Sequence, residues 1–479
     1  MRTKIVSALI IIAMLLVSTG GCTATRTSPT ATPVPTRGER PTSTPIVPEP
    51  TPTETIPEPT PTQTVPEPTA TEEGEAMLQL ARSDMERTTS PAVTEGERAQ
   101  RVDGNNAFAL DFYQAIRDAE GNLFYSPYSI SSALAMAYAG AEEETKKQMA
   151  ETLHYNLSQE QLHPAFNALY LALTEGEGEE TEKEDEGDAF TLQIANAVWG
   201  QEGYPFRQEY LDVLARSYGA GIHVLDFVQA PEQARQTINA WVSDQTNGKI
   251  EDLIPQGVID ELTRLILTNA IYFRASWEHP FDEEQTQDGP FHLPDGQEIS
   301  VPMMRQTTRF GYTEGEGYQA VELPYVGDRA SMVIVAPEAG QLDAFEESLE
   351  AQDIEDILAS MEKKDVALTM PRFSFDARFQ LAQQLAEMGM PEAFSPEEAD
   401  FSGIDGSREL FIKEVLHQAF VSVDETGTEA AAATAVVVGI TSAPVEPVEL
   451  TLDHPFVFLI RDMETGTILF MGRVVDPTS

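Results

Sequence analysis

The sequence predicts an α+β fold, in one large domain that follows a long N-terminal segment with few core-forming residues. The alternating run from Leu192 to Trp199 is typical of a sheet strand, and the apolar face from Phe108 to Tyr113 indicates an amphipathic helix. The chain of 479 residues has one cysteine. No intramolecular disulfide can therefore form, and a packed core has to hold the fold together.

The net charge limits the classes of partner. The chain has 30 Lys and Arg against 79 Asp and Glu, which gives a formal charge of -49. Such a charge repels nucleic acid, anionic membrane surfaces and heparin-like polyanions. We expect no nucleic-acid partner.

Residues 1–22 form a targeting segment. Arg2 and Lys4 precede an apolar run that is too short to span a bilayer comfortably. Small residues stand immediately before Cys22, and this pattern resembles a bacterial lipoprotein signal, although Thr19 occupies the position where leucine is usual. The resemblance implies that Cys22 is lipidated and anchors the protein to the membrane outside the cytoplasm. The alternative is an ordinary secretory signal and a secreted protein.

Residues 23–99 are assigned to a disordered linker. They are rich in Pro, Thr and Glu, and a nine-residue unit begins at Val47, Ile56 and Val65. Such a composition cannot bury a core. About fifty residues in an extended polyproline conformation reach roughly 150 Å, so the linker suits a tether. The globular domain is assigned to residues 100–479.

Enzymatic and metal-dependent functions find no support in the motifs. The acidic run at 175–188 has the composition of a solvated loop insertion, and it lacks the Asp and Asn spacing of a calcium loop. The only thiol lies outside the domain, and no H-x-H, H-E-x-x-H, G-x-S-x-G or glycine-rich phosphate loop is present. A triad assembled from distant residues stays open. We expect no enzyme, no cofactor and no metal.

The most informative stretch runs from Val423 to Pro444. An alternating strand pattern leads to Gly427, four alanines follow at 430–433, and β-branched residues come next. Alanines also suit a short surface helix. In an extended strand, however, alternate positions from Thr428 onward place only small or apolar groups on one face. Such a segment can leave the surface and enter a packed sheet.

This stretch resembles the reactive-loop hinge of the serpins. The matching residues are Glu425, Gly427, Thr428, Ala430, Ala431, Ala432, Ala433 and Thr434. Further serpin-like motifs occur at 122–130, 265–277, 452–458 and 467–474, so the resemblance covers the whole domain. It implies a serpin fold with three β-sheets, about nine helices and an exposed reactive-centre loop, with hinge and loop at 425–445.

The resemblance also assigns residues to the places where the sheet opens. Ser126, Ser129, Asn269 and His417 map onto the shutter, and Trp277 maps onto the breach, where the loop first enters. Each has a simpler alternative role. Serines commonly cap helices, and a buried histidine or tryptophan commonly fills a core.

The resemblance implies a suicide inhibitor of an extracellular serine protease, monomeric, that forms a covalent acyl-enzyme. Counting from the hinge places the cleaved bond at Thr441–Ser442, whereas counting back from His454 places it near Pro444. We adopt the hinge count, since the inserted length sets how far the protease is carried. Small uncharged residues there favour an elastase-like or subtilisin-like target. The alternative functions are a non-inhibitory serpin-fold binding protein or a surface adhesion protein.

Overall fold

The computed structural model describes residues 79–174, 190–428 and 446–479, which form ten α-helices and sixteen β-strands. The helices are α1 (Glu95–Ile116), α2 (Pro127–Tyr138), α3 (Glu143–Thr152), α4 (Gln159–Thr174), α5 (Gln208–Val213), α6 (Pro231–Gln245), α7 (Leu342–Ser348), α8 (Ala351–Ala359), α9 (Ala382–Met388) and α10 (Ser402–Asp405). The strands are β1 (Gln79–Ala81), β2 (Leu123–Tyr125), β3 (Phe190–Gln201), β4 (Ile222–Leu225), β5 (Leu265–Ser276), β6 (Gln287–His292), β7 (Glu298–Gly315), β8 (Tyr318–Pro324), β9 (Ala330–Pro337), β10 (Glu362–Pro371), β11 (Phe373–Gln380), β12 (Glu414–Val423), β13 (Gly427–Thr428), β14 (Val448–Thr451), β15 (Phe456–Asp462) and β16 (Ile468–Val474). The predicted acidic insertion at 175–188 lies outside the described residues.

Local sequence signals explain where the first two helices begin. The Thr94 hydroxyl accepts a hydrogen bond from the Glu97 backbone N–H, and the Glu97 carboxylate accepts one from the Thr94 N–H. Ser126 caps α2, and Pro127 occupies its first position, where a helix needs no N–H donor. Eleven of the twelve residues of α2 are buried, so this helix runs through the interior. None of the described helices is long and apolar enough to cross a membrane.

One sheet has seven strands in the order β1-β4-β3-β5-β13-β12-β11. Strands β5 and β12 run parallel and pair from Ile266 to Ile271 and from Glu414 to Ala419. Beyond these pairs the two strands separate, and the two residues of β13 lie between them, antiparallel to both. We call the point of separation the fork.

The other nine strands form one continuous ladder in the order β14-β10-β7-β8-β9-β15-β16-β2, with β6 beside β7. Strand β7 has 18 residues; it pairs first with β6 and β10 and at its far end with β8. Strand β7 therefore connects the part of the ladder with β6, β10 and β14 to the part that begins at β8, so that two of the three sheets expected from the sequence are continuous. The predicted α+β class is confirmed.

Three apolar clusters form the interior of the described chain. The first lies among α1, α2 and α4, and the second lies between the two sheets. The third lies on the outer face of the seven-stranded sheet, beneath α6 and the segment that follows it. Both faces of the sheet near the fork are therefore covered by apolar side chains.

The structure corrects the predicted boundary between linker and domain. The sequence predicts a linker that includes residues 79–99, but β1 pairs with β4 and α1 begins at Glu95. The Arg87 Nε donates to Asn167 Oδ1 at 2.8 Å, and the Ser83 hydroxyl donates to Asp212 at 2.6 Å. Residues 79–93, which we call the arm, dock through polar contacts with distant residues. Such contacts leave no periodic pattern in the sequence.

Candidate functional site

The two residues of β13 already occupy the upper part of the space between β5 and β12. Gly427 pairs with Ser276, and Thr428 pairs with Ala275 on one side and Val423 on the other. A Cβ atom on Gly427 would overlap the carbonyl oxygen of Ala275. The structure requires glycine at this position because the two backbones approach closely.

Thr428 is buried against an aromatic pair. Only 1% of the residue is exposed, and its Oγ1 lies 2.7 Å from the Tyr325 hydroxyl. Burial raises the pKa of Tyr325 well above its usual value, so the phenol stays neutral. Either hydroxyl can donate the hydrogen bond that joins Tyr325 and Thr428. The Tyr325 ring stacks on Trp277, with centroids 4.5 Å apart. The Trp277 indole N–H donates to the Asp424 carbonyl and its backbone N–H to Thr426, both at 2.9 Å.

A buried ion pair holds the first residue of the hinge. Glu425 is 2% exposed, and its carboxylate accepts hydrogen bonds from Arg372 Nη2 at 2.5 Å and Nε at 2.7 Å. The Thr286 hydroxyl donates to the same carboxylate, and the Phe281 N–H donates to the Glu425 carbonyl at 2.8 Å. The turn between β12 and β13 is therefore fixed and its buried charge is compensated.

A second polar group lies below the fork, where β5 and β12 are still paired. The Asn269 carbonyl oxygen contacts His417 Nδ1, and the Asn269 amide donates to Ser129 Oγ and Asn196 Oδ1, each at 2.5 Å. The Ser126 backbone N–H donates to His417 Nε2 at 3.1 Å. The Asn196 amide returns a bond to the Ser129 carbonyl at 3.1 Å. These five residues join α2, β3, β5 and β12, and we call them the polar cluster.

The state of His417 follows from its partners. Because Nε2 accepts a hydrogen bond from Ser126, the proton of the neutral ring lies on Nδ1, which donates to Asn269. Complete burial lowers the pKa of His417 to about 3. Phe379 stacks near the ring, with centroids 6.2 Å apart. The imidazole is therefore a neutral structural link at physiological pH.

The structure brings the predicted site residues into two groups along one pair of strands. Asn269 lies six residues before Ala275 on β5, which corresponds to about 20 Å at the usual rise of a strand. The predicted anchor Cys22 and seven predicted site residues lie outside the described residues; the seven are Ala430, Ala431, Ala432, Ala433, Thr434, Thr441 and Ser442. Over the described ranges, no three His, Cys, Asp or Glu side chains are arranged to bind a metal ion.

Three residues of the site received no role from sequence. Asn196 completes the polar cluster, Tyr325 supports Thr428, and Arg372 compensates Glu425. Asn196 is the one polar residue between Ile194 and Trp199 of β3, and this break in an apolar run is the sequence signal that could have identified it. Tyr325 and Arg372 lie in ordinary strand-end sequences, and their partners are 53 or more positions away.

Comparisons with known proteins agree on one family. A family model described as serpin (serine protease inhibitor) matches residues 103–477. An uncharacterized serpin-like protein of Thermococcus kodakarensis is 42% identical over 398 residues, covering 82% of this chain and 90% of that one. Leukocyte elastase inhibitor A of Mus musculus is 39% identical over 393 residues, covering 79% of this chain and all of that one.

Solved structures give the same result. The native state of the thermophilic serpin tengpin matches with a TM-score of 0.73 and 27% identity, covering 83% of this chain and 100% of that one. Uncleaved ovalbumin matches with a TM-score of 0.69 and 28% identity, covering 80% of this chain and 100% of that one.

Proposed function

Since the chain belongs to the serpin family, whose general activity is protease inhibition, we propose that it is a suicide inhibitor of an extracellular serine protease. The protease attacks the bond between Thr441 and Ser442, and its serine forms an ester with the Thr441 carbonyl. The cleaved loop then enters the seven-stranded sheet between β5 and β12, as an added strand. The protease is carried along and distorted before water hydrolyses the ester.

The position of β13 is the observation that carries this proposal. Gly427 and Thr428 already pair with both strands that the loop would separate. The hinge residues therefore occupy the start of the insertion path. A loop that served only as an exposed recognition segment would not need its first residues inside the sheet.

The register of β13 indicates where the rest of the loop would go. Each residue after Thr428 in an antiparallel strand moves one position along both neighbours, so Thr434 would fall between Asn269 and His417. These two residues share a direct hydrogen bond in the polar cluster. Insertion would break that bond, and the Thr434 hydroxyl would supply a new partner at the same level.

The same register supports the bond chosen from the hinge count. Strand β5 begins at Leu265, ten positions from Ala275, so Val438 would be the last inserted residue that pairs with it. Thr441 would lie three residues further, just beyond the end of the strand. An ester at this residue would leave the protease beyond the far end of β5, which lies about 35 Å from Thr428 at the usual rise of a strand.

We infer an elastase-like or subtilisin-like target from the residues at the bond. Ile440, Thr441 and Ala443 are uncharged and small or medium in size, whereas a trypsin-like protease requires Lys or Arg. Related serpins that are named leukocyte elastase inhibitors are 38 to 39% identical to the chain.

The first test mixes the protein with elastase, subtilisin, chymotrypsin and trypsin in separate reactions. We expect a band at the summed mass on a denaturing gel with elastase or subtilisin, and mass spectrometry should locate the cut after Thr441. Cleavage without any covalent band, combined with no rise in the melting temperature of the cleaved protein, would instead support a non-inhibitory binding or adhesion protein.

A substitution in the buried hinge tests the insertion step. Thr428→Arg would place a charge against Tyr325, so we expect cleavage to continue while the covalent band falls by about tenfold or more. Glu429→Arg is the matched control, since side chains alternate along a strand and an inserted loop would direct this one to the side opposite Thr428. Equal loss of the covalent band in both variants would contradict insertion through the observed register.

We also propose that lipidation of Cys22 anchors the protein to the outer surface of a membrane, where it acts as a monomer. The small residues before this only cysteine support the proposal. Metabolic labelling with a radioactive fatty acid should mark the wild-type protein and not Cys22→Ser. Release of the variant into the medium is the expected second result, and size-exclusion chromatography of the released domain tests the monomer.

A further inference from the structure

The segment between α6 and β5 covers the strands that have to separate. Residues 246–263, which we call the cover segment, lead directly into β5. Their buried side chains Ile250, Leu253, Ile254 and Ile259 pack in one cluster with Ile266 and Ala270 of β5 and Leu416 of β12. The cover segment therefore crosses the outer face of the sheet over the boundary between β5 and β12.

The cover segment is attached firmly to its own side of this boundary. The Ile254 N–H donates to Asn239 Oδ1 of α6 at 2.8 Å, and Arg235 Nη1 of α6 donates to the Ile254 carbonyl at 2.9 Å. Asn247 and Gly248 form a left-handed turn at φ 52° and 75°, and the Asn247 amide donates to Gln193 of β3 at 3.0 Å. Helix α6, the cover segment, β3 and β5 thus form one connected unit.

Two charged residues connect this unit to β12. Lys249 Nζ lies 5.5 Å from the ring centroid of Phe420, the first residue of β12 above the fork. At the lower end, Asp260 Oδ2 lies 3.0 Å from Nζ of Lys413, the residue immediately before β12. Both contacts bridge the two units that move apart, one at each end of the paired region.

We propose that Lys249 and Lys413 act as two latches that hold β12 against the cover segment and limit the rate at which the sheet accepts a new strand. This inference rests on the proposed function, because it concerns the same opening of the sheet. By the observed register, Ala431 would arrive between Tyr272 and Phe420. The inserting loop would therefore reach Phe420, whose ring contacts Lys249, before it reaches the polar cluster.

The experiment measures uptake of a synthetic peptide with the sequence of residues 430–438, labelled at its N-terminus, by fluorescence anisotropy on the intact protein. No protease is needed for this readout. Lys249→Gln keeps most of the aliphatic stem and removes the charge; we expect it to speed peptide uptake about two- to fivefold. Lys413→Gln should speed it about twofold, since its partner is partly exposed. Lys413 is preferred to Asp260, whose carboxylate also bonds Thr263.

Lys363→Gln is the control, because Lys363 is exposed on β10 in the other sheet. It should take up peptide at the wild-type rate. If the wild-type protein takes up the peptide and neither latch variant takes it up faster, the latch proposal is wrong, while the proposed inhibitory function stands. If wild-type protein neither accepts peptide nor forms a covalent band with any protease, the insertion mechanism itself is overturned, and the latches with it.

Discussion

Glu425 carries a negative charge in a place that water hardly reaches. Arg372 Nη2 lies 2.5 Å from the Glu425 carboxylate and compensates its charge, and the Arg372 side chain is 41% exposed. Arg372→Gln leaves a buried carboxylate without its cation, and we expect the free energy of unfolding to fall by about 1–2 kcal/mol, at the low end for a buried pair because solvent screens the arginine. Urea denaturation measures this change.

The control for that substitution is Arg378→Gln on β11, the strand that follows Arg372; the Arg378 guanidinium donates to a glutamine rather than to an acid. It should change the free energy of unfolding by less than about 0.5 kcal/mol. Adding Glu425→Gln to Arg372→Gln should recover part of the loss, because the uncompensated charge is then removed. A loss that persists in the double variant would assign the effect to packing.

His417 makes the stability depend on pH. Burial lowers the pKa of His417 to about 3 in the folded protein, whereas an unfolded histidine titrates near 6.5. The unfolded state therefore binds more protons between these values, and stability falls as the pH drops below about 6.5. From pH 7 to pH 5 we expect this residue to remove about 2 kcal/mol from the free energy of unfolding.

Comparison of wild type with His417→Gln isolates this effect. Burial also lowers the pKa values of His163 and His223, each to about 4, and the variant leaves their contributions in place. The variant should be less stable at pH 7, but its stability should decline less between pH 7 and pH 5. Parallel pH dependences would show that His417 does not titrate as its burial requires.

Sequence predicted four of the five residues of the polar cluster but gave no role to two residues that support the hinge, Tyr325 and Arg372. Ser126, Ser129 and His417 stand in motifs with recognisable order, and the structure brings them together. Tyr325 and Arg372 acquire their roles only from partners that the fold places beside them. A side chain whose importance depends on a contact across the molecule gives no local signal.

At the scale of elements, long alternating runs were predictable and very short strands were not. The run at 192–199 lies within β3, as expected from its alternation. Strand β13 has two residues and β1 has three. Strands this short cannot show an alternating pattern in the sequence, so both strands form only because they pair with a neighbouring strand. The sequence leaves open whether the hinge lies outside the sheet or within it; Thr428 lies within it, paired with both neighbouring strands and in contact with Tyr325.

The arm offers a test at the same scale. A Cβ atom on Gly221 would lie 2.7 Å from the Ala81 carbonyl oxygen and 2.9 Å from the Arg82 Cβ, so Gly221→Ala should displace the arm from β4. We expect the melting temperature to fall by about 3–5 °C, which corresponds to roughly 2.5–4 kcal/mol for a domain of this size. Calorimetry measures the change.

A chain that begins after residue 93 provides the control for the arm. It keeps the Thr94 cap of α1 but lacks the segment that Gly221 accommodates. In this shortened chain Gly221→Ala should change the melting temperature by less than about 1 °C. An equal fall in both backgrounds would mean that the alanine disturbs β4 itself and that the arm adds little stability.

At the scale of the whole molecule, charge governs encounters with a protease. A formal charge of -49 gives the protein a negative potential around the reactive-centre loop, and this potential attracts a cationic protease and repels an anionic one. Salt screens this potential, with a Debye length near 10 Å at about 0.1 M. For a cationic elastase-like protease, we expect the association rate constant to fall roughly tenfold between 50 and 500 mM NaCl.

Two comparisons separate this steering from loop chemistry. An anionic protease with the same substrate preference should associate more slowly at low salt and faster as salt rises. The fraction of encounters that end in the covalent band should stay constant for both enzymes, because insertion occurs after the complex has formed. A salt-dependent fraction with a salt-independent association rate would instead place the effect of charge in the opening of the sheet, where Lys249 and Lys413 make their contacts.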